Sequence, residues 1–238
     1  MILQPIVYGT LLKRYKRFLA DVVLDKTGEV VTAHCPNPGA MIGLLDKGNP
    51  VILSISSNPK RKLPYTLQAI YTDKTWVGVN TALPNELMAE SLTAGTLLEF
   101  NPYLTVRREV PYGQNCRIDF LLHSEETSDC YLEVKNVHLK RQDKAEFPDC
   151  ITTRGSKQIK ELAALAQKGF RCVVTYIIQR EDCSGFKIAD DLDPHYAKAC
   201  EFAKGCGVET LILNCRLSAT DSCFNVTLNP ESYALGSS

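Results

Sequence analysis

The sequence predicts two unlike domains in series: a small five-stranded antiparallel β-barrel, then an α/β domain with a mixed central sheet. Three observations carry this. Residues 1–80 are short β-branched or alternating runs separated by turn clusters such as Asn37-Pro38-Gly39, Gly48-Asn49-Pro50 and Asn58-Pro59. After Asn80 the pattern changes to helical and strand-like segments in the order αβββαβ. Arg171 to Gln179, RCVVTYIIQ, is a nearly unbroken apolar run, as expected of a strand covered on both faces.

The barrel strands are expected at Leu12 to Leu24, Glu29 to His34, Val51 to Ser56, Tyr65 to Thr72 and Thr75 to Asn80. Five such strands suit an OB-type barrel, a fold that commonly binds oligonucleotides. The boundary is placed near residue 82, giving domains of 1–82 and 83–238. The second begins with a helix from Pro84 through Leu92, capped by Asn85 or Thr81 and stopped at Gly95. Strands follow at Thr105 to Val110, Arg117 to Leu122 and Tyr131 to Val137, the first two joined by a Tyr112-Gly113 turn. Ser156 to Gln167 carries Ile159, Leu162, Ala163, Leu165 and Ala166 at helical spacing, with Gly169 as its stop. A further helix spans Pro194 to Lys204, and a strand Val208 to Asn214. An edge strand is expected after Leu217, and Ala234 to Ser238 read as a frayed tail.

Lys+Arg and Asp+Glu number 27 each, so the molecule as a whole exerts no electrostatic pull on nucleic acid or membrane. Residues 1–84 nevertheless hold 10 basic and 5 acidic side chains, and residues 85–238 hold 17 and 22. That asymmetry suits an anion-binding module beside a carboxylate-rich site. The 10 cysteines contain no Cys-x-x-Cys pair, which argues against a zinc ribbon and for reduced thiols in a cytoplasmic protein. No stretch approaches 18 consecutive apolar residues, so neither secretion nor membrane spanning is expected.

The chemistry centres on Asp119, Glu133 and Lys135. In a strand, residues i and i+2 share a face, so Glu133 and Lys135 project together while Val134 faces the opposite layer. If the strands before and after Ser124 to Asp129 form a hairpin, Asp119 sits beside Glu133. Two carboxylates with a backbone carbonyl are hard oxygen ligands suited to Mg²⁺ or Mn²⁺, and an ammonium beside them can orient water or stabilise a phosphate. An exposed cross-strand ion pair is the competing account of Glu133 and Lys135. Asp119 weighs against it, because a carboxylate inside Ile118, Phe120, Leu121, Leu122 is costly without a partner. Glu90 on the first helix is a further candidate metal ligand, with Glu86 one turn away, and Lys157 and Gln158 on the second helix are candidates to face the site.

On the barrel, Lys13-Arg14-Tyr15-Lys16-Arg17-Phe18 mixes cations with rings, as backbone-tracking surfaces do, and Lys60-Arg61-Lys62 is a second cluster. Lys13, Arg14, Lys16, Arg17, Arg61 and Lys62 are therefore the candidate nucleic-acid contacts; a solvated strand edge is the alternative. His34-Cys35 lacks a third group to orient the histidine, which argues against a nucleophile there. His138 and His195 have no neighbours at ligand spacing.

Asp119, thirteen intervening residues and Glu133-Val134-Lys135 within αβββαβ resemble the restriction-endonuclease-like PD-(D/E)xK nucleases, although Ile118 stands where proline is usual. Phe147-Pro148-Asp149 is set aside as a decoy. AHCPNPGAMIGLL, RKLPYT, PNELMAESL, RIDFLL, LEVKNV, FPD, TTRGSKQIKEL and the run from GF to QR resemble the sugar fermentation stimulation protein A (SfsA) family. That resemblance implies an N-terminal OB-type domain, a nuclease-like C-terminal domain, DNA binding and a regulatory link to sugar utilisation. Asp119 and Glu133 would then hold metal and Lys135 serve the water or phosphate. Two functions stand open: a Mg²⁺-dependent nuclease acting on DNA or RNA, and a non-catalytic DNA-binding regulator of sugar (maltose-type) metabolism genes. A third, weaker reading is a protein-interaction module whose basic clusters only solubilise. A homodimer is compatible with a double-strand binder.

Overall fold

The computed structural model describes residues 1–113 and 116–235. The chain opens with β1 (Ile2–Leu3), which belongs to the distant C-terminal sheet, and then builds a barrel from β2 (Ile6–Tyr15), β3 (Leu19–Leu24), β4 (Val30–His34), β5 (Pro50–Ile55) and β6 (Tyr65–Thr72). Pairing of His34 with Thr66 joins β4 to β6 and closes the five strands; β7 (Thr75–Gly78) extends β6 outside the closure. Leu11, Val22, Leu53, Leu67 and Ile70 fill the interior.

One expected strand proves to be two. Leu12 to Leu24 contains a tight hairpin turn at Lys16 and Arg17, both at positive φ (48° and 63°). Neither is a residue that favours this conformation, so nothing in local propensity marks the turn.

After the barrel comes α1 (Leu83–Thr93), followed by a short 3₁₀ turn at Leu98–Phe100. Then come β8 (Thr105–Tyr112), β9 (Cys116–His123), β10 (Cys130–Val137), α2 (Thr153–Ala166), β13 (Arg171–Ile178), α3 (Pro194–Gly205), β15 (Glu209–Ala219) and β16 (Phe224–Leu235). The residues between Gly113 and β9, the far side of the expected Tyr112-Gly113 turn, lie outside the described residues. Two short strands between β10 and α2, β11 (Leu139–Arg141) and β12 (Lys144–Phe147), form a small sheet with β14 (Gly185–Ile188). The main sheet has the order β1-β16-β15-β13-β10-β9-β8, with β10, β13 and β15 parallel and the rest antiparallel.

β13 lies at the centre, as its apolar run requires. Leu211, Leu213, Leu132, Val134, Phe120 and Phe224 pack on one face against Leu87 and Met88 of α1 and against Ile6, Ile52 and Ala69 from the barrel's outer wall. The opposite face, with Ile118, Val174 and Tyr176, is covered by Ile159, Leu162 and Ala163 of α2 and by Tyr196 and Ala199 of α3. The barrel thus shares an apolar layer with the sheet.

Three expectations at the margins are corrected. The strand after Leu217 is not at the edge, because β1 pairs outside it, Ile2 opposite Asn225. Ala234 and Leu235 are strand residues paired with Ile212 and Leu211, not tail; Gly236 to Ser238 lie outside the described residues. The first helix has Ala82 as its N-cap with no side-chain cap bond, so neither Asn85 nor Thr81 caps it. None of the described helices is long and apolar enough to cross a membrane, and all ten cysteines are free.

Candidate metal and nucleic-acid site

The site forms where β9 and β10 part. Their antiparallel pairing runs from Leu122–Cys130 to Phe120–Leu132 and stops there. The Val134 amide, next in line for a backbone acceptor, instead donates to Asp119 Oδ2 at 2.7 Å. Side-chain alternation also slips at this point: Phe120 and Leu122 join the α1-side core, whereas Ile118 joins the α2-side core. Glu109, in the β8 segment flanking this break, has φ of 52°. Asp119 is thereby a kink residue whose carboxylate takes over a ladder bond, which offsets the burial cost that first singled it out.

Asp119 Oδ1 accepts 2.9 Å from Asn85 Nδ2 of α1. Sequence reasoning placed Asn85 at a cap and missed this role; its position one residue after the helix-starting Pro84 made the cap the simpler reading. On β10, Glu133 and Lys135 do share a face. Lys135 Nζ donates to Glu133 Oε1 at 2.7 Å and to Gln158 Oε1 of α2 at 2.9 Å. Gln158 thus reaches the site, as one of the two sequence candidates on that helix.

Glu133 is 2 % exposed and its Oε2 has no hydrogen-bond partner. Burial pushes its carboxyl up to about 7, against the pull of Lys135 and with a further push from Asp119. Burial, with smaller pushes from Glu133 and other neighbouring anionic groups, holds the Tyr112 phenol well above its ordinary value. A buried carboxylate oxygen without a donor, beside a second carboxylate, is the arrangement a hard divalent cation would complete. Among the described residues no group of three His, Cys, Asp or Glu side chains gathers at one point, so protein carboxylates would supply two ligands here.

Glu90 is not brought to this point. Its carboxylate pairs at 3.0 Å with the Met1 ammonium, over a surface pocket lined by Thr227 and Leu228. Helical geometry explains the miss: α1 turns Asn85 toward β9 and Glu90 toward the N-terminal strand, and the N-terminal amine could not be placed from sequence. Glu86 pairs with Arg108 through both guanidinium nitrogens.

The barrel abuts the site through its β4–β5 loop and β2–β3 hairpin. Arg14 Nη2 donates to the Asn37 and Gly39 carbonyls at 2.7 and 2.9 Å, and Arg17 Nη2 to the Pro38 carbonyl at 2.8 Å. Lys13 pairs with Asp21 at 3.4 Å. Arg14 and Arg17 thus hold the protein's own loop and Lys13 pairs with β3, while Lys16, Arg61 and Lys62 are exposed without such contacts among the described residues. The loop they brace carries Cys35, fully buried with its thiol pushed up by burial, which does not suit a nucleophile.

Asp149 and His138 have a structural task that sequence reasoning missed. Asp149 Oδ2 accepts from the Met41 amide at 2.8 Å and meets His138 Nε2 at 3.0 Å, clasping barrel to α/β domain. A Cβ on Gly39 would lie 2.5 Å from that carboxylate, so the loop needs glycine there. A cleft of about 490 Å³ runs between the domains, lined by Arg17, Pro38, Lys135, His138, Asp149 and Arg154 among others.

Residues 12–79 match the model for the SfsA N-terminal OB domain, and residues 82–221 that for the sugar fermentation stimulation protein RE domain. The chain belongs to the SfsA family. A sugar fermentation stimulation protein homolog from Rhodospirillum centenum is 52% identical over 215 residues, covering 90% of this chain and 92% of the relative. One from Paramagnetospirillum magneticum is 50% identical over 214 residues, covering 90% of each. Among solved structures, Pyrococcus furiosus SfsA, described in complex with Ca²⁺, superposes with a TM-score of 0.85 at 23% identity, over 95% of each chain. The SfsA fold thus accounts for both the barrel and the mixed-sheet domain.

Proposed function

We propose that this SfsA-family protein binds DNA and hydrolyses phosphodiester bonds with a divalent metal, Mg²⁺ or Mn²⁺, held by Asp119 and Glu133. In this reading residues 1–82 form the OB-type binding domain and residues 83–238 the nuclease-like domain. The observation that carries it is the unpartnered Oε2 of Glu133, buried beside Asp119 and Lys135 where two strands part. A Ca²⁺ complex of the Pyrococcus furiosus relative is in keeping with a hard-oxygen site.

A bound divalent ion would lower the pKa of its water and offset charge on the scissile phosphate. The protein's own groups do the rest. Asn85 and the Val134 amide fix both oxygens of Asp119, so its orientation is set before any ligand arrives. Gln158 holds the Lys135 ammonium in place and leaves it a third donor, which can orient water or meet a phosphate oxygen. Glu133, raised to about 7, is half ionised near neutrality and becomes fully ionised once a cation is present.

Nicking of supercoiled plasmid and cutting of single-stranded DNA, measured with Mg²⁺, Mn²⁺ or EDTA, tests this proposal. Cutting with either metal and none in EDTA supports it. DNA retention without cutting in any metal would favour the non-catalytic regulator.

A further inference from the structure

The arginines of this chain differ in what they bind. Arg14, Arg17, Arg108, Arg141, Arg171 and Arg180 are each committed to protein carbonyls or carboxylates. Arg117 and Arg154 are exposed and make no hydrogen bond or ion pair among the described residues, yet both stand beside the metal-site candidates. Arg117 lies two residues before Asp119 on β9, and Arg154 opens α2 one helical turn before Gln158. A guanidinium left without a partner at such a place is available to an incoming anion.

The two line one cavity of about 350 Å³ with Cys116, Lys157 and Gln158. Gln158 is its link to chemistry, since its Oε1 accepts from Lys135 Nζ at 2.9 Å. Arg154 also lines the interdomain cleft that contains Lys135, so the cavity and the cleft share Arg154. Arg154 is close enough to Glu133 to pull its carboxyl downward. These are the features of a phosphate seat adjoining a hydrolytic site: two planar cations lining one concavity, next to the reacting groups.

We infer that Arg117 and Arg154 form a subsite for the phosphate neighbouring the scissile one. Substrate DNA is then gripped first by β9 and α2 rather than by the barrel's hairpin cluster. This rests on the nuclease reading of Asp119, Glu133 and Lys135. The phosphate can be an internal diester of the backbone or a terminal monophosphate, since both present the same oxygens to a guanidinium.

The test measures binding of fluorescent DNA oligonucleotides to the full chain in EDTA, at several salt concentrations, with 5′-phosphate and 5′-hydroxyl forms compared. R117A/R154A is expected to weaken binding about tenfold or more at low salt and to reduce the salt slope by about one, the single phosphate lost. R117K/R154K, which keeps the charge, should recover part of the loss. R61A/K62A on the barrel should cost less. Equal affinity for both 5′ ends places an internal diester in the seat, and preference for the phosphorylated end places a terminal phosphate there. An R117A/R154A protein that binds like wild type, with an unchanged salt slope, overturns the subsite while leaving the nuclease proposal intact. A wild-type protein that binds no DNA at low salt overturns both.

Discussion

Asp119 accepts the Val134 amide at 2.7 Å at the point where the β9–β10 ladder ends, so one carboxylate both closes a backbone bond and faces the candidate metal site. Asp119→Ala should therefore lose stability as well as activity. Leaving a partly buried amide without an acceptor costs about 1–3 kcal/mol, readable as a lower urea midpoint. Asp119→Asn keeps an acceptor oxygen and should recover most of the stability while remaining inactive.

Glu133 gives the site an unusual pH dependence. Its carboxyl lies near 7 in the fold against an ordinary 4.5, so the folded protein favours the protonated form. That contribution to stability is full below 4.5 and is lost as pH rises through 7. Without metal, Glu133→Gln should gain stability relative to wild type as pH is raised from 5 to 8, by up to about 3 kcal/mol. A stability difference between the two proteins that does not change with pH would show that Glu133 ionises normally. Metal affinity of the wild type should fall as pH drops from 8 to 6, since a proton then competes for Glu133.

The Asp149 clasp titrates in the opposite sense. Despite burial, its bonds to His138 and the Met41 amide bring its carboxyl down to about 2 from 3.8. The stabilisation is present above 3.8 and is lost as pH falls toward 2, about 2 kcal/mol in all. Asp149→Asn should abolish that acid-sensitive component, and hydrogen exchange should rise in the Pro36–Met41 segment that Asp149 anchors.

Gln158 positions Lys135 without being charged itself. Gln158→Ala should lower kcat about tenfold or more with little change in DNA affinity, and Gln158→Glu should restore the contact. A change confined to KM would show that Gln158 acts on substrate and not through Lys135.

The site was legible in sequence where its logic is local. Glu133 and Lys135 share a face because strands alternate, and Asp119 stood out as a carboxylate inside an apolar run. What sequence could not convey depends on long-range closure or on turns without marker residues. The pairing of Ile2 with Asn225 joins the chain's ends, and it also draws Glu90 to the Met1 ammonium. The Lys16-Arg17 turn has neither glycine nor asparagine, so a hairpin read as one strand and its arginines read as a free cationic surface. The small sheet of β11, β12 and β14 consists of three- and four-residue strands, too short for periodicity to register. The Phe147-Pro148-Asp149 motif gives no local sign of a structural role for Asp149, which anchors one domain on the other.

The most direct test of the central claim is cleavage of labelled single- and double-stranded DNA with Mg²⁺, comparing wild type with Asp119→Ala and Glu133→Ala, each checked for folding and for DNA binding in EDTA. The account requires metal-dependent cutting by wild type and none by either folded, DNA-binding variant. Cutting that persists undiminished in both variants would contradict it.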